Sequence, residues 1–308
     1  MKVCRDIDSL DTAYPVITTG MFDGVHRGHQ KILNRLKQAA SEFKAAPVIL
    51  TFWPHPRMVI YPQEETKLLT TLEEKLDIFE NTGIKHTIVQ PFTRELSVLG
   101  SDEFVEQVLM KKLQVKCLVY GYDHRFGSKK KNENIVIQEI AERYGFDAIR
   151  VDELNVEGVN ISSSKIRNAL YAGNVSKAAG YLGYKYFING TVEGGMKLGT
   201  RIGFPTANIS NIDEHKLIPC KGVYAVKVYV NNRLHKGMMN IGTRPTIDKS
   251  NTQTSLEVHI FDFNKNLYDK PIRVEFVDRI RAEQKFNSLS ELKNRLADDK
   301  TTALKLLA

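Results

Sequence analysis

Cysteine is nearly absent: Cys4, Cys117 and Cys220 are the three in 308 residues, far apart and without metal-ligand spacing. An odd, dispersed set builds neither a disulfide framework nor a zinc cage, and reads as free thiols of a reducing compartment. Long hydrophobic runs are missing as well, so no segment is expected to span a bilayer. The first residues, Met1-Lys2-Val3-Cys4-Arg5-Asp6, lack the apolar core of an export signal, and a cytoplasmic location is expected. Tryptophan occurs once, and acidic residues are outnumbered, 36 Asp and Glu against 44 Lys and Arg, for a formal net charge of +8. Such a surplus suits anionic ligands, nucleotides or nucleic acid. Lys129-Lys130-Lys131 is the one basic run and no aromatic residues interleave with it, which argues against a nucleic-acid partner. The remaining composition, 42% hydrophobic and 26% charged, is that of a globular protein, long enough for two domains with separate cores.

The chain is organised around Thr18-Thr19-Gly20-Met21-Phe22-Asp23-Gly24-Val25-His26-Arg27-Gly28-His29. Val16 and Ile17 lead into it, and Ile32, Leu33, Leu36, Ala40 and Phe43 leave it at helical spacing, which predicts a strand, a turn and a helix. Gly20, Gly24 and Gly28 let the backbone bend and approach a ligand. The helix directs its free N–H groups and positive dipole end at the turn, which suits phosphate. His26 and His29, three apart, can donate hydrogen bonds to a phosphate whose charge rises in a transition state.

The first half alternates strand and helix. A strand over 47–52 ends in Trp53-Pro54-His55-Pro56-Arg57, where two prolines stop further pairing. Thr71 and Glu74 form a capping box before a helix carrying Leu72, Leu76 and Phe79. Strands at 84–89, 115–120 and 148–151 follow, with helical patterns through Phe104, Val105, Val108, Leu109 and Leu113 and over 135–144. This alternation predicts a parallel sheet covered on both faces, with ligands at the strands' carboxyl ends. Ser162, Ser163 and Ser164 precede Lys165 and Arg167 at a helix start; alone the set reads better as a serine cap with two solvated charges, and beside His26-Arg27-Gly28-His29 it reads better as a polyphosphate site.

The pattern changes near Gly183, so domains 1–183 and 184–308 are expected. Short β-rich runs at 187–192, 222–230, 237–241, 255–261 and 272–276 predict an antiparallel barrel. A closing helix carries Ser288 and Glu291 as a capping box, with Leu289, Leu292 and Leu296. Gly203-Phe204-Pro205-Thr206-Ala207-Asn208 forms a tight loop whose Thr206 and Asn208 oxygens suit Mg²⁺ held mainly by nucleotide phosphates. Strand alternation sends Glu257 and His259 to one face, where Glu257 reads as a solvated carboxylate or a base. Gly222-Val223-Tyr224 opens a strand whose backbone N–H groups could meet phosphate.

Together these motifs closely resemble the bacterial bifunctional riboflavin kinase/FMN adenylyltransferase (FAD synthetase) family, nearly end to end. Residues 20–29, 51–56 and 161–167 resemble its adenylyltransferase motifs; 203–208, 222–224, 240–246 and 257–259 resemble its kinase motifs. The resemblance implies a Rossmann-like α/β nucleotidyltransferase domain with a parallel sheet, then an antiparallel β-barrel riboflavin kinase domain with a C-terminal helix. It implies riboflavin, ATP, ADP, FMN and FAD as ligands, Mg²⁺ with ATP, and no nucleic-acid or membrane partner. Glu257 would be the kinase base, with Thr206 and Asn208 at Mg²⁺. His26 and His29 would stabilise the α-phosphate during adenylyl transfer. Gly20, Phe22, Asp23, Gly24, Gly28, Ser162, Ser163, Ser164, Lys165, Arg167, Gly203, Pro205, Gly222 and Tyr224 would line nucleotide and phosphate. His55, Pro56, Asp123, Arg125, Phe126, Arg279, Arg281, Glu283 and Phe286 would meet flavin. The chain departs from the family in placing Thr200 before Arg201, in Ser164 where threonine is common, and in having no glycine over 129–134. A relative using one of the two activities and a flavin- or nucleotide-binding regulator are the alternative readings.

Overall fold

The computed structural model describes residues 1–122, 137–156, 158–193, 203–244 and 253–308. The chain divides into two compact units, Met1–Ser163 and Ser164–Ala308.

In the first unit, β1 (Lys2–Cys4), β2 (Val16–Thr19), β3 (Pro47–Trp53), β4 (His86–Pro91), β5 (Cys117–Gly121) and β6 (Asp147–Val151) make one parallel sheet. Its order is β1-β4-β3-β2-β5-β6. The helices between are α1 (Arg27–Glu42), α2 (Pro56–Ile60), α3 (Leu72–Glu80), α4 (Arg94–Val98), α5 (Ser101–Phe104) and α6 (Ile137–Tyr144). A two-stranded ribbon, β7 (Asn155–Val156) and β8 (Val159–Asn160), follows β6. Because side chains alternate along a strand, neighbouring residues feed opposite cores. Ile17, Val48, Leu50 and Leu118 pack with Phe104, Leu109 and Ile140. Val16, Ile49, Cys117 and Val119 pack with Leu33, Leu36 and Ala39 of α1 and Phe79 of α3. Both faces are covered, as the continuous apolar strands predict. The stripe after α5 is not an ordinary helix: Val105–Lys112 is π-helical, with the Leu113 N–H reaching back to the Val108 carbonyl at 3.1 Å.

After β2 the chain builds β3 and β4 on one side, then returns to place β5 and β6 on the other. The carboxyl ends of β2 and β5 therefore flank a switch point, the place where open α/β sheets bind ligands. The glycine turn leaves β2 there.

In the second unit, β9 (Phe187–Glu193), β10 (Ala207–Ser210), β11 (Gly222–Val230), β12 (Arg233–Arg244), β13 (Gln253–Ile260) and β14 (Pro271–Arg281) close a barrel in the order β10-β13-β12-β11-β14-β9. Every pairing is antiparallel. The sequence reading leaves β10 inside a loop; four residues are too few for alternation to show. Tyr224, Val226, Met239, Ile241, Val258 and Phe276 are buried on the interior face. The opposite face carries Ala225 and Met238, packed against Ala303 and Leu307 near the end of the chain. Here α7 is Ser163–Tyr171, α8 is Val175–Leu182 and α9 is Leu289–Leu306. At the start of α9, Ser288 Oγ accepts the Glu291 N–H, while the Glu291 carboxylate takes the Asn287 N–H rather than that of Ser288.

The compact unit begins well before the 183/184 boundary. The Leu170 carbonyl accepts the Cys220 N–H at 3.0 Å, α8 lies against β14, and the Arg279 side chain lies 2.8 Å from where a side chain on Gly173 would begin. These contacts bring α7 and α8 to the barrel. A fragment of residues 164–308 should therefore melt about 5 °C or more above one of residues 184–308, which loses that cover. Calorimetry of both fragments checks this; equal melting temperatures would mean the helices add nothing to the barrel.

Candidate functional site

The turn after β2 is strained and tied down. Phe22 and Val25 have φ of +50° and +35°, conformations that cost about 1–3 kcal/mol each and persist only where surroundings enforce them. Asp23 supplies much of that enforcement: its carboxylate accepts the Leu69 N–H at 3.0 Å and the Thr70 N–H at 3.2 Å. The Gly24 N–H returns a bond to Thr70 Oγ1 at 3.1 Å, and Ser163 Oγ donates to the Asp23 carbonyl at 3.0 Å. Asp23, expected among phosphate-binding residues, thus points its carboxylate at backbone donors. The Gly20 N–H bonds the Leu50 carbonyl at 3.1 Å, at the end of the β2–β3 ladder.

His26 caps α1: its Nδ1 accepts the His29 N–H at 3.3 Å. That bond assigns the imidazole proton to Nε2. The two imidazoles stack, centroids 3.6 Å apart and planes 16° apart, and Phe22 meets His29 edge-on at 5.2 Å. A side chain at position 28 would begin 3.2 Å from the His26 ring, so glycine makes room for the stack. Burial pushes His26 down to about 4. Burial, then the neighbouring His26 and Lys75, hold His29 well below the ordinary histidine range. Both rings are neutral at pH 7. His29 as a residue is partly exposed, yet its Nδ1 is shut off from solvent and has no partner among the described residues.

Lys75 escapes the sequence reading. It is 4% exposed, and its ammonium donates to the Met21 carbonyl at 3.2 Å and to Thr51 Oγ1 at 3.1 Å. The signal was there: Leu72, Lys75 and Phe79 share one helical stripe, and a lysine on an apolar stripe is anomalous. His55 caps α2 at the end of β3, accepting the Arg57 N–H at 3.2 Å, with Pro56 as the first helical residue. Ser162 and Ser163 belong to the first unit; Ser164, Lys165 and Arg167 stand in the first turns of α7, in the second. Asp123, Arg125 and Phe126 lie outside the described residues, as do Thr200, Arg201, Pro245, Thr246 and the stretch 129–134.

In the second unit, register places Glu257 on β13 opposite Asn208 on β10 and opposite Asn240 on β12. Thr206 Oγ1 is 3.5 Å from Glu257 Oε2. The turn that presents Thr206 begins at Gly203, φ +87°, and its Pro205 carbonyl sits 2.7 Å from His259 Nδ1. Burial lowers the His259 pKa, so the ring is neutral and we assign the proton to Nδ1, donating to Pro205. A Cβ built on Gly242 would lie 2.6 Å from Glu283 Oε1, 3.0 Å from Asn240 Nδ2 and 3.4 Å from Ser255 Oγ. Glu283 therefore joins the same row as Glu257. Asn240 and Ser255 are members of that row that the site reading leaves out; cross-strand register, invisible in sequence, brings them in.

Other residues expected at the ligands make protein contacts. Tyr224 is fully buried, its hydroxyl donates to the Cys220 carbonyl, and burial pushes its phenol up to about 12. A side chain on Gly222 would meet the Arg281 carbonyl at 2.5 Å, so this glycine serves strand packing. Arg279 donates to the Lys221 carbonyl at 2.5 Å. Arg281 grips the buried Asp299 of α9 at 2.8–3.0 Å and faces the Phe286 ring at 5.5 Å.

The FAD synthetase family profile matches residues 9–165, and the riboflavin kinase profile matches residues 182–307. The chain is 37% identical over 307 residues to the bifunctional riboflavin kinase/FMN adenylyltransferase of Escherichia coli (strain K12), covering 98% of this chain and 97% of the relative. It is 38% identical over 298 residues to the Bacillus subtilis (strain 168) protein of the same description, covering 96% and 93%. A crystal structure described as a macrolide-efflux protein from Streptococcus pneumoniae matches with a TM-score of 0.88 at 28% identity, over 98% of both chains. Efflux is that protein's description; among the described residues here, no helix is long and apolar enough to cross a membrane. With two family profiles in tandem and relatives matched along nearly their whole length, the chain belongs to the bifunctional riboflavin kinase/FMN adenylyltransferase family.

Proposed function

We propose that the second unit phosphorylates riboflavin with Mg-ATP, giving FMN and ADP, and that the first joins FMN to the AMP moiety of a second ATP, giving FAD and pyrophosphate. The observation that carries the reading is the row Asn208, Glu257, Asn240 with the Thr206 hydroxyl 3.5 Å from the carboxylate. Glu257 takes the proton of the ribityl 5′-hydroxyl as that oxygen attacks the γ-phosphorus and the bond to ADP breaks. Positioning and charge stabilisation do the rest. Thr206 and Asn208 carry hard oxygen donors, a pair that fits Mg²⁺. Among the described residues no three His, Cys, Asp or Glu side chains form a metal cage, so phosphates would be its main ligands. When bound with ATP, Mg²⁺ would neutralise phosphate charge. Glu283, beside Asn240, borders the flavin side.

In the first unit no protein nucleophile is required, since an FMN phosphate oxygen is already an anion. It attacks the α-phosphorus, and the bond to pyrophosphate breaks. His26 Nε2–H, with His29 beside it, donates to the α-phosphate oxygens as their charge rises. Ser162 and Ser163 offer hydroxyls to phosphate, and Gly20, Phe22, Gly24 and Gly28 shape the turn around the nucleotide. Three free thiols support a reducing cytoplasm as the place of work.

Riboflavin and Mg-ATP, with FMN and FAD resolved over time, test the whole reading: FMN that accumulates without FAD overturns it. Glu257→Gln should lower FMN formation by roughly two to four orders of magnitude and leave FAD formation from supplied FMN intact. Kinase turnover near wild type would remove Glu257 as the base. His26→Ala and His29→Ala should each lower FAD formation by roughly two to three orders of magnitude and spare riboflavin phosphorylation. Both activities falling together with the melting temperature would instead mark the histidines as packing groups.

A further inference from the structure

Lys75 is a charged group sealed beneath the glycine turn. The residue is 4% exposed. Two of its three donors are committed, to the Met21 carbonyl inside the turn and to Thr51 Oγ1 near the carboxyl end of β3. Thr51 Oγ1 itself lies 3.5 Å from the same Met21 carbonyl. The next residue, Phe22, is the one held at φ +50°, and its ring edge abuts His29. A continuous chain of contacts thus runs from Lys75 through Met21 and Phe22 to the imidazole.

We propose that Lys75 is a positioning residue for adenylyl transfer: it pins the Met21 carbonyl and so fixes the Phe22 ring against His29. The proposal rests on the reading that FAD is made at this turn. The charged and titratable groups facing the ammonium are Asp23, whose carboxylate favours the charged form, and His29, backed by the stacked His26. Burial pulls the lysine down to about 8. The ammonium is therefore present at neutral pH and lost as pH rises through that value. A group buried only as ballast has no reason to affect turnover on losing its proton. A pin that donates to a carbonyl does, because the neutral amine is a weaker donor.

Lys75→Met keeps the stem and removes charge and donors. We expect it to lower kcat for FAD formation from supplied FMN by about tenfold or more near neutral pH, with KM for ATP changed by less than about threefold. Riboflavin phosphorylation by the same preparation should be unchanged. Wild-type kcat/KM should fall on the alkaline side near pH 8, where Lys75 titrates. Lys75→Met should lack that limb, and Thr51→Val, which deletes one acceptor, should move it to lower pH. A wild-type kcat in Lys75→Met, or a limb unchanged in it, overturns the proposal. Where Lys75→Met fails to fold, Thr51→Val decides: a shifted limb supports the pin and an unmoved limb overturns it. Normal FAD formation in both His26→Ala and His29→Ala would instead overturn the reading of the turn itself.

Discussion

Phe22 and Val25 hold left-handed backbone conformations on either side of a single aspartate, and the first unit depends on that aspartate staying tied. The Asp23 carboxylate takes two backbone N–H groups from the 69–70 segment, and Gly24 completes the tie through Thr70. Strain of about 1–3 kcal/mol per residue persists only under such enforcement. The result is a turn that cannot relax into the sheet, so α1 begins where its free N–H groups and dipole face the switch point between β2 and β5. Both histidines follow from that placement. His26 is an imidazole cap in a position usually taken by an oxygen side chain, and accepting at Nδ1 leaves its proton on Nε2.

Burial does chemical work at this turn as well as structural work. Desolvation keeps His26 and His29 neutral across the physiological range. The barrel is different: Glu257 is half-buried, with the Thr206 hydroxyl 3.5 Å from its carboxylate.

The barrel's two faces divide the labour. Tyr224, Val226, Met239, Val258 and Phe276 fill the interior. The opposite face is covered by α9 at Ala225 and Met238 and carries the polar row of Asn240, Gly242, Ser255 and Glu257 farther along the same strands. The fixed point of α9 is Asp299, 1% exposed and gripped by Arg281. Leaving such a charge buried without its partner costs about 3–5 kcal/mol. Arg281, which resembles a flavin contact in sequence, thus also holds the helix.

Local chemistry was legible in the sequence. The turn from strand to helix, the Thr71–Glu74 box, the change from alternating strand and helix to a barrel, and the motifs carrying the family resemblance all lie within short windows, where periodicity and hydrogen-bonding residue types act directly. β10 was not legible, because a four-residue strand has too little periodicity and is defined by its partners β9 and β13. Nor was the engagement of Tyr224, Arg279 and Arg281, since a side chain's partner is chosen by whatever lies across the fold: a carbonyl at Cys220, another at Lys221, a carboxylate at Asp299. Lys75 stands between the two cases. The stripe of Leu72 and Phe79 shows that it faces inward, and only tertiary structure supplies the Met21 carbonyl and Thr51 hydroxyl that make a buried ammonium tolerable. Sequence determined which groups had to be satisfied; packing of distant segments decided by what.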